Sequence, residues 1–123
     1  MEGDFLQAIG DVYYYQVKME EALSIYKKAL KIYRKTLGPE SAKVGYALTS
    51  IGSALKEQGK CEKAMEKYEE ALAMRRDALG AEHPVVAETL YYMAICKEKS
   101  GDHGGAVECV REAHRIFTVS GLL

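Results

Sequence analysis

The sequence predicts an all-α fold, namely an α-solenoid of three helix-turn-helix repeats. Apolar residues recur at a spacing of 42 residues, and within each repeat they follow a helical period. No segment has the alternating pattern of a strand. We therefore expect a single domain over residues 1–123, with repeats at about 2–43, 44–85 and 86–123. The spacing is carried by Ala22, Ala64 and Ala106, by Ala29, Ala71 and Ala113, and by Leu6, Leu48 and Leu90.

Each repeat is predicted to contain two helices, because turn residues interrupt it once in the middle and once at its end. Gly59 and Gly101 end the first helices of repeats two and three, where Val17 stands in repeat one. Ser41 can cap the third helix, and Pro84 suits the first position of the fifth. The helices are expected at about 3–16, 19–36, 41–58, 61–78, 84–100 and 103–118.

Small residues are placed where the two helices of each repeat are expected to cross. Gly10, Gly52 and Ala94 lie on the first helices, and the repeated alanines lie on the second. Large apolar residues flank the crossings and are expected to fill the core around them. These flanking residues are Leu6, Ile9 and Tyr13, then Leu48, Ile51 and Leu55, then Leu90 and Met93.

This order of small and large apolar positions resembles the tetratricopeptide repeat, and its 42-residue form resembles that of kinesin light chains. The most specific stretch runs from Ala71-Leu72-Ala73-Met74 to Leu79-Gly80-Ala81-Glu82-His83-Pro84-Val85-Val86-Ala87. The resemblance covers nearly the whole chain. It implies a right-handed superhelix of helical hairpins whose concave face, lined by the first helices, binds peptides.

The resemblance also implies which residues face the concave groove. Spacing on the first helices gives one stripe per repeat, beside the expected core stripe. The predicted groove residues are Asp4, Asp11 and Tyr15 with Ala8 between them, Tyr46, Ser50, Ser53 and Glu57, and Glu88, Tyr92, Ile95 and Lys99. Its predicted margins are Gln7, Thr49 and Tyr91 on one side and Tyr14, Lys56 and Glu98 on the other.

The predicted groove is acidic and rich in tyrosine. Five acidic and two basic side chains give the two sets a net charge of −3. Ser50 and Tyr92 stand where kinesin light chains commonly place asparagine. We therefore expect a partner segment with basic or aromatic side chains rather than the acidic peptides typical of that family.

Composition and motifs exclude several classes of function. The chain has 123 residues with a net charge of −1, so no global positive field attracts nucleic acid or an anionic membrane. The sequence has no nucleophile elbow, phosphate-binding loop or HExxH motif, and we expect neither catalysis nor a cofactor. His103, Cys109 and His114 have the wrong spacing for one metal site. Three cysteines without a CxxC pair, and no basic leader before an apolar run, predict a cytoplasmic protein.

Two alternatives to groove binding remain open. Val107, Val110 and Phe117 would be partly uncovered at the C-terminal end, which would then meet either a further repeat or a second copy of the chain. The second function is therefore an assembly element that self-associates through its end faces. A weaker third possibility is a basic second helix that binds RNA or lipid; its residues are Lys18, Lys27, Lys28, Lys31, Arg34 and Lys35.

Overall fold

The computed structural model describes residues 2–121, and within that range every regular element is an α-helix. Six helices follow one another, each within one residue of its predicted bounds. They are α1 (Glu2–Tyr15), α2 (Met19–Leu37), α3 (Ala42–Glu57), α4 (Cys61–Leu79), α5 (Pro84–Lys99) and α6 (His103–Val119). The predicted all-α repeat architecture is confirmed.

The helices pack in order along the chain. α1 with α2, α3 with α4, and α5 with α6 form three hairpins, called here the first, second and third hairpin. The second helix of each hairpin also packs against the first helix of the next, so α2 contacts α3 and α4 contacts α5. No helix within residues 2–121 has the length and apolarity needed to cross a membrane.

Local chemistry sets the helix ends much as the sequence predicted. The Ser41 hydroxyl accepts a hydrogen bond from the backbone N–H of Lys43 at 3.2 Å, which caps α3. His83 caps α5 in the same way, because its Nδ1 accepts from the N–H of Val85 at 3.1 Å. Pro84 occupies the first turn of α5, where a missing N–H costs nothing.

Burial differs between equivalent positions of the three hairpins. Ile51 and Met93 are 1% and 6% exposed, whereas Ile9, at the same position of the first hairpin, is 42% exposed. Leu6 and Tyr13 are only half-buried. The prediction that Ile9 fills the core is wrong, because no helix within residues 2–121 covers the outer face of α1.

The glycines of the first helices have a more specific partner than predicted. A Cβ at Gly10 would lie 2.5 Å from Cε1 of Tyr26, and one at Gly52 would lie 2.8 Å from Cε1 of Tyr68. Tyrosine rings of the second helices, and not only their alanines, therefore press against these glycines. The missing side chain opens a passage through which each ring reaches the opposite surface of its hairpin.

Candidate binding groove

A groove runs across the first helices of the hairpins and is called here the central groove. Side chains of α1, α3 and α5 form its walls, and two side chains of second helices, Tyr26 and Arg75, reach into it. Seven of its lining residues are other polar or charged residues, and five are tyrosines. The lining residues are Asp11, Tyr14, Tyr15, Tyr26, Tyr46, Thr49, Ser50, Ser53, Lys56, Arg75, Glu88 and Tyr92.

Seven of the eleven predicted groove residues come together in this groove. They are Asp11, Tyr15, Tyr46, Ser50, Ser53, Glu88 and Tyr92. The predicted margin residues Tyr14, Thr49 and Lys56 lie there as well. Asp4, Glu57, Ile95 and Lys99 do not line it, and for each of them a neighbouring side chain or an uncovered surface explains the difference.

Asp4 lies in a separate depression beside the central groove, where an ion pair holds it. Lys43 Nζ on α3 lies 2.8 Å from Asp4 Oδ1, and the Tyr33 hydroxyl donates to the same oxygen at 2.7 Å. The hydrogen bond from Lys43, followed by that from Tyr33, lowers the pKa of the Asp4 carboxyl. Asp4 thus joins α1 to α2 and α3.

Glu57 is exposed at the end of α3, with Oε1 3.9 Å from Lys56 Nζ.

Ile95 and Lys99 line a different surface, an apolar cleft between α5 and α6 that we call the C-terminal cleft. The predicted margin residues Tyr91 and Glu98 are there too. In the first two hairpins a further hairpin packs beside the equivalent positions, whereas none within residues 2–121 packs on the third. The cleft is lined by Tyr91, Ala94, Ile95, Glu98, Lys99, Ala106, Val107, Val110, Arg111 and His114.

Tyr26 and Tyr68 belong to second helices, yet their hydroxyl groups contact residues that line the central groove. The Tyr26 hydroxyl donates to Asp11 Oδ1 at 2.6 Å, and the Tyr68 hydroxyl lies 2.9 Å from Ser53 Oγ. Burial is the largest cause of the raised pKa of both phenols. Each tyrosine crosses its hairpin beside a glycine and fixes a polar residue of the groove wall.

Arg75 on α4 is the main groove residue that the sequence analysis missed. Its side chain is 5% exposed, and its Cγ would lie 3.3 Å from a Cβ on Gly45. Nη1 donates to Thr89 Oγ1 at 2.9 Å, and burial lowers the pKa of the guanidinium. A signal existed in the sequence, because Arg75 stands 42 residues after Tyr33, and Gly45 stands 42 residues after Gly3, against which Tyr33 packs.

Arg75 changes the expected charge of the site. Asp11 and Glu88 bring two negative charges to the central groove, and Lys56 and Arg75 bring two positive ones. The groove lining is therefore balanced in formal charge, in contrast to the predicted net charge of −3. The two cationic groups are the more deeply buried, since the Lys56 side chain is 10% exposed.

Tyrosine rings make up much of the accessible surface of the groove. Tyr15 is 82% exposed and Tyr46 is 46% exposed. The ring of Tyr92 is stacked on that of Tyr68, with centroids 5.9 Å apart. Lys56 Nζ lies 5.6 Å from the centroid of Tyr92, within reach of a cation–π interaction. These contacts hold Tyr92 in place, whereas Tyr15 and Tyr46 offer more open faces.

The described residues form no metal cluster, although the thiols of Cys61 and Cys96 are neighbours. Within residues 2–121 no three His, Cys, Asp or Glu side chains are arranged to hold a metal ion. Cys96 and Cys109 are buried and Cys61 is half-buried. Burial raises the pKa of the Cys96 thiol to about 11, which keeps it protonated and unreactive near neutral pH.

A family model for the tetratricopeptide repeat (TPR) matches residues 5–77 and 66–118. The chain belongs to the tetratricopeptide repeat family. TPR domains bind protein or peptide partners, and this chain carries the helical repeat fold on which such binding is built. The match agrees with the 42-residue spacing and with the six helices.

Solved TPR-like structures resemble the chain closely in shape. BtubC (BKLC) from P. vanneervenii superposes with a TM-score of 0.89 at 23% identity, covering 97% of this chain and 48% of that one. The TPR domain of Arabidopsis FLU gives 0.85 at 19%, covering 96% of both chains. The nearly identical TPR-like repeats of a Podosopora anserina protein, described as a kinesin light chain, give 0.82 at 21%, covering 94% and 55%.

These likenesses establish the fold. This chain spans about half the length of two of the three structures and almost all of the third. Comparison with curated proteins finds no match. Any partner of this TPR domain must therefore be inferred from its own surface.

Proposed function

We propose that this TPR domain binds an extended segment of a partner protein in the central groove, by recognition and without catalysis. The observation that carries the proposal is the convergence of residues from three hairpins on one groove, in which Tyr15 and Tyr46 keep exposed rings. Tyrosine presents a wide apolar face with few rotatable bonds and a polar tip, so it binds partners at a small entropic cost. The three free thiols fit a cytoplasmic location, which we propose as well.

The charges of the groove suit basic or aromatic side chains in the partner segment. The carboxylates of Asp11 and Glu88 can pair with lysine or arginine, and exposed tyrosine rings can stack on aromatic rings or on guanidinium groups. Lys56 and Arg75 lie deeper and can donate hydrogen bonds to a carbonyl or carboxylate oxygen of the same segment. The proposal therefore assigns the partner's side chains to the walls and its backbone oxygens to the floor.

A display library of random peptides provides the test, with the folded chain as bait. Sequences enriched by the wild-type chain are compared with those enriched by Tyr15→Ser/Tyr46→Ser. These two rings are exposed, and so their loss should leave the fold intact, as circular dichroism would verify. We expect the double variant to lose most of the enriched sequences and to bind the remainder about tenfold more weakly.

Tyr91→Ser is the matched control, because Tyr91 is also an exposed tyrosine but lies in the C-terminal cleft. It should retain the wild-type sequences. Enrichment of the same peptides by all three baits would refute the groove. A library that yields no binding peptide would count against the proposed function as a whole.

A second candidate function is self-association through the ends of the domain. The C-terminal cleft of the third hairpin is equivalent to the surface on which α3 packs in the first hairpin and α5 packs in the second. Its lining is mostly apolar. α1 carries a matching apolar stripe at helical spacing, with Phe5, Ile9 and Val12 exposed. A copy docked head to tail would continue the internal packing of the solenoid.

Light scattering over a concentration series tests this second candidate. Association should appear as concentration rises, and Val107→Glu/Val110→Glu should abolish it by placing charge in the cleft. Val119→Glu is the control, because Val119 is exposed on α6 outside the cleft lining. A monomer at every concentration would exclude end-to-end assembly.

A further inference from the structure

The depression that holds Asp4 lies beside the central groove and is called here the side depression. It has a volume of about 280 Å³ between α1, α3 and Tyr33 of α2. Asp11 and Tyr46 line both the side depression and the central groove, so a segment bound in the groove can extend a side chain into the depression. The polar and aromatic residues that line it are Asp4, Gln7, Asp11, Tyr33, Lys43 and Tyr46.

The lining of the side depression carries a formal charge of −1. Asp4 and Asp11 bring two carboxylates, and Lys43 brings one ammonium. Lys43 Nζ lies 2.8 Å and 2.9 Å from the two oxygens of Asp4 and 5.9 Å from the centroid of the Tyr33 ring. Lys43 therefore neutralises Asp4, whereas Asp11 forms no ion pair within residues 2–121.

Two oxygens that belong to residues of the depression accept no hydrogen bond from residues 2–121. Asp11 Oδ1 accepts from the Tyr26 hydroxyl at 2.6 Å, but Oδ2 has no donor. Gln7 is 4% exposed, and its Nε2 donates to Ser50 Oγ at 2.8 Å, while its Oε1 is buried without a partner. Unpaired acceptors in such a place favour an occupant that brings N–H groups.

The residues that carry these two oxygens are neighbours on one face of α1. Gln7 and Asp11 are four residues apart, which places them one turn from each other. Asp4 is seven residues before Asp11, so about 10 Å of helix separates its ion pair from the Asp11 carboxylate. Burial, followed by the carboxylate of Asp11, raises the pKa of the Tyr46 phenol, which places this tyrosine beside Asp11.

We propose that the side depression binds the side chain of a lysine in the partner segment. Its ammonium donates to Asp11 Oδ2 and Gln7 Oε1, and it makes a cation–π contact with the ring of Tyr46. Lys43 already combines a carboxylate and a tyrosine ring in this way at the other end of the depression. The inference rests on the proposed function, and it specifies one side chain of the segment that the central groove binds.

The free oxygens favour lysine over arginine. A guanidinium pairs most strongly with a carboxylate that has both oxygens free, because it then donates two parallel hydrogen bonds. Neither carboxylate offers this pair, since Lys43 holds both oxygens of Asp4 and the Tyr26 hydroxyl holds one oxygen of Asp11. An ammonium is a compact charge with three rotatable donors, which can reach oxygens on two different residues.

NMR titration of the isotope-labelled chain with three capped amino acids tests the proposal. The probes are the N-acetyl methylamides of lysine, Nε-trimethyllysine and arginine. All three are cations, but the trimethylated ammonium has no N–H to donate. We expect the lysine probe to bind about tenfold more tightly than trimethyllysine and about fivefold more tightly than arginine. The largest shift changes should fall on Gln7, Asp11 and Tyr46.

Two substitutions remove the proposed acceptors one at a time. Asp11→Asn removes the charge but keeps an oxygen that can accept from Tyr26, and it should weaken binding of the lysine probe about tenfold. Gln7→Met removes the second acceptor and keeps the length of the side chain, and it should weaken binding about fivefold. Circular dichroism verifies the fold of both variants.

Glu88→Gln is the matched control. Glu88 also accepts a tyrosine hydroxyl with one carboxylate oxygen, and it lines the central groove but not the side depression. Its substitution should leave the affinity for the lysine probe unchanged. If Asp11→Asn or Gln7→Met unfolds, the comparison of the three probes on the wild-type chain decides the question.

The outcomes distinguish this inference from the proposed function. No binding of the lysine probe, equal binding of lysine and trimethyllysine, tighter binding of arginine, or equal losses in Asp11→Asn and Glu88→Gln would overturn the inference. If library peptides depend on Tyr15 and Tyr46 while the lysine probe fails in one of these ways, the proposed function stands and the inference is wrong. If the lysine probe binds as expected but the library yields no peptide, the side depression is a lysine site and the binding of an extended segment is wrong.

Discussion

The second and third hairpins differ at three equivalent positions, and the difference decides the character of the surface above them. In the second hairpin the ring of Tyr68 lies over Gly52, and its hydroxyl meets Ser53 in the central groove. The third hairpin has Ala94, Ile95 and Val110 at these positions. The space that a tyrosine ring fills in one hairpin is therefore an apolar cleft in the other.

The three substitutions form one coordinated change. A Cβ on the first helix excludes a tyrosine ring that would cross there. Without the tyrosine there is no hydroxyl to pair, so the neighbouring position on the first helix does not need a polar residue. The first hairpin follows the second, with Gly10, Asp11 and Tyr26 in the same arrangement. The comparison teaches that one glycine governs whether a second helix contributes to the groove wall.

The largest expected effect comes from closing the passage beside Tyr68. Gly52→Val should destabilise the fold by about 3 kcal/mol, because the new side chain overlaps a fully buried ring that has no free space to enter. Urea unfolding followed by circular dichroism measures the change. Gly104→Val is the control, because no atom lies within 4 Å of a Cβ at Gly104 on α6.

The control should change the free energy of unfolding by less than about 1 kcal/mol, as expected for an exposed helical position. Equal destabilisation by the two substitutions would mean that the cost comes from placing valine in a helix. The glycine–tyrosine passage would then have no special role in the packing of the second hairpin.

A smaller effect is expected from removing the hydroxyls that the two rings deliver. Tyr26→Phe should cost about 2 kcal/mol, because its hydroxyl bonds to the carboxylate of Asp11 at 2.6 Å. Tyr68→Phe should cost about 1 kcal/mol, because its partner Ser53 is neutral. Urea unfolding of both variants gives the order, and the reverse order would contradict this account of the groove wall.

The sequence predicted the helices well because their signals are local. The Ser41 cap, the Pro84 start and the apolar period depend on neighbouring residues, and each helix lies within one residue of its predicted bounds. Burial at the ends could not be predicted in the same way. Ile9 has the pattern of a core residue, but its exposure depends on which helix packs against it.

The central groove was predicted only in part, for a related reason. Stripes on the first helices predicted Tyr46, Ser50 and Glu88, and these residues line the central groove. The residues that reach the groove from second helices were missed. Their side chains can cross the hairpin only because a residue on the first helix is glycine and leaves space for them. Arg75 crosses beside Gly45, and no pattern within α4 alone indicates that it does so.

The turns between the helices of each hairpin offer the last comparison. Gly59 and Gly101 have positive φ values of 78° and 90°, and Val17 has a φ of 62° at the same position. Val17 keeps the turn, since its N–H donates to Tyr14 O at 3.0 Å, as that of Gly59 does to Lys56 O at 2.9 Å. The first turn therefore holds a β-branched residue in a conformation that disfavours it.

Val17→Gly should stabilise the domain by about 1 kcal/mol. Valine in the left-handed region costs about 1–2 kcal/mol, and the greater entropy of glycine in the unfolded chain offsets a part of that gain. Little apolar burial is lost, because Val17 is 78% exposed. Gly59→Val is the reciprocal change and should destabilise the domain. The midpoint temperature of thermal unfolding measures the effect of both substitutions. If Val17→Gly lowers the midpoint, contacts of the valine side chain outweigh backbone strain, and the three turns are not equivalent in the way their hydrogen bonds suggest.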